Sequence, residues 1–248
     1  MKMDDNLDQL LRNLKLHKLR QILPDETKKA IKAKASYEDL LVTLFRAQYQ
    51  DQIERSIHSR IKHARVPEKW SLATFPFDRQ PGVEARVIRQ LGTLDFVGRA
   101  ENIVLVGPPG VGKTGIATGL LLRAIESGYR GRFLRAQDLF DELYASLADR
   151  STRKLLDSLA RVDVLLVDEM GYLNLRPEQS NAFFKLMEER YVGKRTTLIT
   201  TNLAYEAWYE FLGNKKMVEA LLDRLRERCH TITIEGPSLR TPSAPVAS

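Results

Sequence analysis

Residues 107–114 read Gly-Pro-Pro-Gly-Val-Gly-Lys-Thr and match the pattern G-x-x-x-x-G-K-[ST] at every fixed position. The run Ile103–Val106 before them is typical of a buried strand, and the apolar pattern at 113–127 after them is typical of a helix. Glycines let backbone amides turn towards phosphate oxygens without a Cβ in the way, and the helix directs its positive end to the same place. This stretch, the phosphate loop, predicts a nucleotide-binding α/β fold.

Each part of the phosphate loop has an expected role towards ATP and Mg²⁺. Lys113 brings a mobile positive charge to the β- and γ-phosphates, and the hydroxyl of Thr114 binds Mg²⁺. A chance glycine-rich loop is the alternative, but it would not require a strand before it and a helix after it. The residues expected to contact the nucleotide are Gly107, Pro108, Pro109, Gly110, Val111, Gly112, Lys113, Thr114 and Gly115.

Two adjacent acids follow a second buried-strand pattern. Val164–Val167 is followed directly by Asp168 and Glu169. Because the carboxyl ends of parallel strands meet at one edge of a sheet, both acids are expected beside the phosphate loop. Adjacent side chains on a strand point to opposite sides, which predicts that Asp168 holds Mg²⁺ and that Glu169 orients and polarises the attacking water. An acidic pair that caps a helix is the alternative.

Asn202 ends the next strand pattern along the chain. Its amide can both donate and accept hydrogen bonds, so we expect it to hold the attacking water and to sense the γ-phosphate. The alternative is an asparagine that merely forms a turn. The residue pattern therefore predicts a catalytic set of Glu169, Lys113 and Asn202.

Beyond residue 84, short apolar runs alternate with helical patterns. Strands are predicted at Ile103–Val106, Arg132–Arg135, Val164–Val167, Thr197–Thr201 and Thr231–Ile234. Helices are predicted at about 84–97, 113–127, 137–148, 152–160, 177–191 and 215–228. Such alternation predicts the α/β class, with a five-stranded parallel sheet covered by helices on both faces.

The N-terminal part is predicted to be all-helical. Leucines at near-helical spacing predict one amphipathic helix over residues 4–22, which Pro24–Asp25 ends. A second helix is predicted to begin near Ser36, whose hydroxyl can cap the first turn with Asp39 three residues on, and to stop before Pro67.

Residues 67–82 contain Pro, Gly and aromatic residues without periodicity and indicate a linker. We therefore predict a helical N-terminal domain at 1–72, an ATPase domain at 73–236 and a flexible tail at 237–248. The chain ends soon after the last predicted strand, so no C-terminal helical lid is expected.

Positive charge is concentrated near the N-terminus. The chain carries a net charge of +7, and residues 1–70 alone contain 15 Lys and Arg against 10 Asp and Glu. One face of the second helix carries a basic stripe, consisting of Arg55, His58, Lys62 and Arg65. A stripe of this kind is compatible with a DNA phosphate backbone and equally with a solvated helix face. Duplex DNA bound without sequence preference is the expected partner, through Arg55, Lys62 and Arg65.

Composition excludes several other classes of protein. A single cysteine, Cys229, rules out an intrachain disulfide, and no apolar run approaches the ~20 residues of a membrane-spanning helix. The N-terminus also lacks the basic-then-apolar pattern of a secretory signal. A location in the bacterial cytoplasm, without a membrane partner, is expected.

Four stretches in this order resemble the AAA+ transposition helper ATPases of the IstB family, which are similar to the DnaC and DnaI helicase loaders. These stretches are GPPGVGKT, LLVDEMGYL, TTLITTNLAYEAW and ALLDRLRERCHTITIEG. The resemblance covers about residues 4–241. The family usually has Leu where Met170 stands and Pro where Asn174 stands, and neither departure affects the chemistry.

The resemblance implies an ATP-dependent homo-oligomer that binds DNA and assists the transposase encoded in the same element. It also implies that Arg224 acts as an arginine finger on a neighbour's γ-phosphate, with a weaker case for Arg226 and for Arg240 as a phosphate sensor. For Arg224 and Arg226, the alternative is a basic last helical turn that complements the helix dipole.

Three other functions stay open at this point. A replicative-helicase loader would have the same core but a protein partner. A small-molecule kinase would have to exclude water, whereas Glu169 is suited to activate it. A scaffold that binds ATP without turnover would have no need of Glu169.

Overall fold

The computed structural model describes residues 4–68, 70–171 and 173–240. The chain forms two compact units, Met1–Ser59 and Arg60–Ser248. The domain bounds expected from the sequence remain a prediction, and residues 241–248 of the predicted tail lie outside the described residues. Within the described residues, no helix is both long enough and apolar enough to cross a membrane.

Three helices lie at the N-terminal end: α1 (Asp5–Asn13), α2 (His17–Ala33) and α3 (Tyr37–Ala64). The capping of α3 agrees with the sequence, because the Ser36 hydroxyl accepts the Asp39 N–H at 3.1 Å and the Asp39 carboxylate accepts the Ser36 N–H at 3.3 Å. Leu11, Leu19 and Leu44 form the small core of the first unit.

The prediction of one helix ended by Pro24 is wrong. The break falls instead at Lys15, which takes a left-handed conformation with φ of 56°. The N–H of Leu16 then bonds back to the carbonyl of Leu11 at 2.9 Å, which closes the end of α1 in the geometry usually built on glycine. Pro24 lies inside α2. No glycine in the sequence marks the true break. Helix α2 continues through Pro24, although proline has no N–H and one backbone hydrogen bond of the helix is therefore missing.

The second unit is built on a five-stranded sheet with strand order β2-β3-β4-β1-β5. The strands are β1 (Asn102–Val106), β2 (Gly131–Arg135), β3 (Val164–Met170), β4 (Thr196–Thr201) and β5 (Cys229–Thr233). All four strand pairs are parallel, so the predicted fold class is confirmed. This order brings the carboxyl ends of β1, β4 and β3 side by side at one edge.

Eight α-helices accompany the strands in the described part of this unit. They are α4 (Ala85–Leu91), α5 (Asp95–Gly98), α6 (Lys113–Glu126), α7 (Ala136–Ala148), α8 (Thr152–Ala160), α9 (Pro177–Val192), α10 (Trp208–Leu212) and α11 (Lys215–Glu227). The single helix predicted at 84–97 is wrong, because Leu94 takes a left-handed conformation with φ of 70° between α4 and α5. Between the end of β5 and residue 240, the described residues form no helix.

Two separate cores cover the two faces of the sheet. In β3, Leu165 and Val167 belong to one core, whereas Val164 and Leu166 belong to the other. Helices α7, α8, α9 and α11 contribute to the first core, and α4 and α6 contribute to the second. Burial on both faces explains why the strands read as continuous apolar runs rather than as alternating patterns.

Candidate active site

The phosphate loop joins the end of β1 to the start of α6, and its neighbours hold it closely. The N–H of Gly107 donates to the carbonyl of Thr201 at the end of β4, at 3.1 Å. A Cβ on Gly107 would lie 2.3 Å from the carbonyl oxygen of Ile234, so no larger residue fits there. Gly112 has φ of 97°, a left-handed conformation that favours glycine. The two contacts of Gly107 and the left-handed conformation of Gly112 together set the shape of the loop that phosphate oxygens are expected to occupy.

Lys113 lies folded over this loop. Its Nζ donates to the carbonyls of Gly107 and Pro108, each at 2.7 Å. Burial lowers the pKa of Lys113, while the nearby Asp168 carboxylate opposes that shift. An ammonium group has three donors, so the group keeps one donor beyond its two carbonyl bonds. Such a cation beside the phosphate loop suits a polyphosphate.

Asp168 lies at the end of β3 in direct contact with the loop. The hydroxyl of Thr114 donates to its two carboxylate oxygens at 2.9 and 3.2 Å, and the hydroxyl of Thr200 donates to Oδ1 at 2.6 Å. Asp168 is only 2% exposed, and burial raises its pKa, although both hydroxyl bonds act in the opposite sense. A buried carboxylate beside a hydroxyl matches the oxygen ligands that Mg²⁺ takes in nucleotide sites. The site therefore fits the expected ion.

Glu169 occupies a bulge in β3. The pairing register with β4 shifts between Val167 and Met170, and Glu169 takes φ of 59°. A left-handed glutamate costs on the order of 1–3 kcal/mol and persists only where its surroundings impose it. Here its N–H donates to the Thr200 hydroxyl at 2.9 Å. Unlike Asp168, its side chain is exposed, so the two adjacent acids have different environments.

Asn202 follows β4 directly and lies beside the turn after Glu169. Its Oδ1 would be 2.9 Å from a Cβ on Gly171, so its side chain packs against that glycine. The carbonyl of the preceding residue, Thr201, accepts the bond from Gly107 of the phosphate loop. The structure thus brings Asn202 to the edge of the sheet that also holds Lys113 and Asp168. Its expected catalytic role remains a prediction.

The chain matches the family described as IstB-like ATP binding proteins over residues 9–245. It belongs to this family. One relative is the ATP-binding protein of insertion sequence IS21 from Pseudomonas aeruginosa, which is 34% identical over 94% of this chain and 88% of its own length. Among the solved structures that share the fold are the DnaC helicase loader, at 24% identity and TM-score 0.53, and DnaI, at 20% identity and TM-score 0.59. The matched regions cover 61% of this chain and 88% of DnaC, and 67% of this chain and 92% of DnaI.

In this IstB-like protein, Thr200 is a site residue that sequence reasoning missed. It is fully buried, and its single hydroxyl donates to Asp168 while accepting the N–H of Glu169. It is therefore a positioning residue, since it holds both acids in relation to each other. The only signal in the sequence was a threonine two residues before Asn202, and a threonine in a strand is ordinary.

We expect the Thr200→Val variant to lower the free energy of unfolding by about 1–3 kcal/mol, because the buried Asp168 carboxylate loses one of its two hydroxyl donors and the Glu169 N–H loses its acceptor. ATP turnover should fall with it, since Asp168 and Glu169 are no longer held together. Urea unfolding without nucleotide measures the first effect and phosphate release measures the second. The control is Thr200→Ser, which keeps the hydroxyl and should stay close to wild type. Equal stability of Val and Ser variants would contradict the positioning role.

Arg135 is a second site residue that the sequence does not predict. It ends β2 directly opposite Asp168 in the parallel register, and its side chain is exposed. Its charge acts to lower the pKa of Asp168 against the larger effect of burial. No motif predicts this arginine, because the pairing of β2 with β3 is a tertiary property. Arg135 adds a second cation of the same chain to the site.

The segment after β5 packs against the phosphate loop and brings Arg240 towards it. The N–H of Leu239 donates to the carbonyl of Gly110 at 2.9 Å. Gln80 links this segment to the phosphate loop, because its Nε2 donates to the carbonyls of Val111 and Pro237 at 3.1 and 3.0 Å. Burial is the main cause that lowers the pKa of Lys113, and the charge of Arg240 acts in the same sense. Arg240 thus adds positive charge to the surroundings of Lys113.

Arg224 lies away from the phosphate loop of its own chain. It projects from α11 into a groove of about 590 Å³, where it pairs with Glu188 at 3.4 Å. The groove is also lined by Asn102 and Thr197, near the amino ends of β1 and β4. The phosphate loop follows the carboxyl end of β1, at the opposite edge of the sheet. Arg224 is therefore not part of the candidate ATP site of its own chain.

Of the three residues predicted to bind DNA, Lys62 is exposed in the last turn of α3, and the other two have acidic partners. Arg55 pairs with Asp51 one turn away at 2.9 Å, and Arg65 pairs with Glu142 at 3.8 Å. Arg65 lies just beyond the end of α3 with φ of 55°, so it departs from the helix face that the sequence predicted. These partners offset part of the positive charge, and the DNA contacts stay a prediction.

Proposed function

We propose that this protein is an ATP-dependent regulator of DNA transposition that assembles on duplex DNA and assists the transposase of its own element. The observation that carries the proposal is the convergence of Thr114 with Asp168 within hydrogen-bond distance, beside the glycine-rich phosphate loop and Lys113. Family membership supports it, because relatives in the family are named as ATP-binding proteins of insertion sequences. Hydrolysis of ATP would control the assembly.

The residues of the chain would divide the work on MgATP. Thr114 and Asp168 would hold Mg²⁺, which when bound neutralises charge on the β- and γ-phosphates. Lys113 would exchange its carbonyl contacts for phosphate oxygens. Glu169 would accept a hydrogen bond from the attacking water and take its proton, and Asn202 would orient the same water. Positioning and electrostatics would supply most of the rate enhancement.

The exposed Glu169 favours hydrolysis over transfer to a small molecule. A kinase for small molecules needs a site that keeps water away from the γ-phosphate. Here the carboxylate beside the loop is exposed, so water can reach it. A scaffold without turnover would also have no reason to hold glutamate in a strained left-handed bulge.

Two features favour an oligomer that binds DNA. Arg224 faces a groove at the far edge of the sheet, so a second copy is needed to bring such an arginine to a γ-phosphate. The excess of Lys and Arg within residues 1–70 favours a polyanionic partner. Arg55, Lys62 and Arg65 are the proposed phosphate contacts, and contacts of this type carry little sequence preference.

A helicase loader is the second candidate. The fold likeness to the DnaC helicase loader favours it, and a loader would use the same ATP site towards a protein rather than towards DNA. The two candidates differ in what promotes assembly. Duplex DNA should promote it in a transposition regulator, whereas a replicative helicase should promote it in a loader.

The deciding experiment measures particle size by light scattering with MgATP and duplex DNA, each present and absent. We expect large assemblies only when both are present. Lys113→Ala should bind MgATP at least tenfold more weakly, because it removes the cation that contacts the phosphates, and should therefore not assemble. Lys154→Ala removes an exposed lysine of α8 and is the matched control, which should assemble like wild type. Assembly that ignores duplex DNA, or that persists in Lys113→Ala, would contradict the proposal.

A further inference from the structure

Aromatic and aliphatic side chains line the junction between the phosphate loop and α6. A Cβ on Gly112 would lie 2.8 Å from the ring of Phe75 and 3.2 Å from the side chain of Leu239. A Cβ on Gly115, in the first turn of α6, would lie 3.3 Å from the ring of Trp70. These close approaches form an apolar wall directly beside the residues expected to hold phosphates.

Gly115 itself indicates that the Trp70 contact matters. Glycine inside a helix costs about 1 kcal/mol relative to alanine, and Gly115 lies inside α6 without a left-handed conformation. The backbone conformation therefore does not explain why this residue is glycine. The close approach of the Trp70 indole explains it, because an added Cβ would be tightly packed against the ring.

Trp70 differs from the other residues of this wall in its exposure. Phe75 is 6% exposed and belongs to the core, whereas Trp70 is 38% exposed. The indole N–H donates to the Glu68 carboxylate at 2.9 Å, which limits rotation of the ring. An aromatic ring held in place, with part of its surface open to solvent, is suited to stack on another flat ring.

We propose that Trp70 is the stacking platform for the adenine base of the nucleotide. The inference rests on the proposed binding of ATP, and it adds where the base lies and which side chain holds it. The phosphates would occupy the loop of residues 107–114, and Trp70 packs on the next residue, Gly115. The groups that bind the base and the phosphates therefore lie side by side. Every base has a flat face that can stack, so Trp70 contributes affinity for nucleotides but does not distinguish ATP from GTP.

The test compares two ligands that share a triphosphate chain but differ in the nucleoside: MgATP and Mg-tripolyphosphate, each titrated by calorimetry into the full-length protein. Trp70→Ala should weaken MgATP binding about tenfold and leave tripolyphosphate binding within about twofold of wild type. Trp70→Phe keeps a flat ring and should bind MgATP within about threefold of wild type. Trp70→Leu keeps apolar bulk without an aromatic face, so it should behave like Trp70→Ala.

Fluorescence supplies an independent readout. The chain has two tryptophans, and the other one, Trp208, is fully buried in the opposite core. MgATP should quench the emission of the wild-type protein, tripolyphosphate should not, and Trp70→Phe should lose the ATP-dependent change.

The outcomes separate this inference from the proposed function. If wild type binds neither ligand, the proposed nucleotide site is wrong. If wild type binds both but Trp70→Ala and Trp70→Leu lose both equally, Trp70 only supports the loop and the platform is refuted. Unchanged MgATP binding in those two variants would refute it as well.

Discussion

The Glu169→Gln variant is expected to lose about 10²–10⁴-fold in ATP turnover while it still binds MgATP. Glutamine keeps the size of the side chain but cannot accept the proton of the attacking water. Asp168, Thr114 and Lys113 are untouched, so the groups expected to hold the metal and the phosphates remain. Turnover is measured by phosphate release and binding by calorimetry on the same preparation.

The structure offers a matched control for this variant. Glu126 is an exposed glutamate at the last residue of α6, the helix that begins at Lys113. Glu126→Gln makes the same chemical change at the far end of that helix and should leave turnover unchanged. If Glu169→Gln turned over ATP at the wild-type rate, Glu169 would not be the base, and another group would have to polarise the water.

The Arg224→Ala variant should lose about 10³-fold in turnover, the lower end of what an arginine finger contributes, and should still bind MgATP. The expected loss rests on the proposed finger role, and Arg224 lines the groove at the amino ends of β1 and β4 rather than its own phosphate loop. A guanidinium there can stabilise transition-state charge only on a neighbouring copy. Hydrolysis would then occur only in assembled protein.

Mixing two inactive variants tests whether the arginine acts between copies. Arg224→Ala retains a complete Glu169 site, and Glu169→Gln retains Arg224, so some contacts in a mixed assembly contain both intact groups. Turnover of the mixture should exceed that of either variant alone. Lack of rescue in assemblies of normal size would count against action between copies.

Arg226→Ala is the control for this experiment. Arg226 lies on the same helix, but its guanidinium packs 4.6 Å from the ring centre of Tyr205. Removing it takes away a charge of the same kind without touching the groove at Glu188. Turnover close to wild type would show that the effect belongs to Arg224 and not to the basic end of α11.

Local errors in the sequence predictions have a common physical origin. The break between α1 and α2 and the break between α4 and α5 both depend on a non-glycine residue in a left-handed conformation, at Lys15 and Leu94. Residues other than glycine disfavour the left-handed conformation, so the sequence pattern does not predict a helix end at these residues. For the first helix the pattern predicts the end at Pro24 instead. A left-handed conformation at such residues persists only where the surrounding structure imposes it.

The candidate site shows the same division between local and tertiary information. The phosphate loop, Asp168, Glu169 and Asn202 are each adjacent in sequence to a strand end, and a parallel sheet must bring such ends together. Thr200 and Arg135 became visible only through contacts across strands, where Thr200 bonds to both acids and Arg135 lies opposite Asp168. No spacing in the chain encodes those pairings.

The amino-acid sequence by itself therefore determined the nucleotide-binding α/β fold, the order of the strands along the chain and the residues of the phosphate loop, because each depends on chemistry within a few consecutive residues. The tertiary structure alone decided the strained bulge at Glu169, the contact of Trp70 with Gly115 and the position of Arg224 at the far edge of the sheet. These features join residues that are distant in the chain, and only the packing of strands and helices fixes such distances.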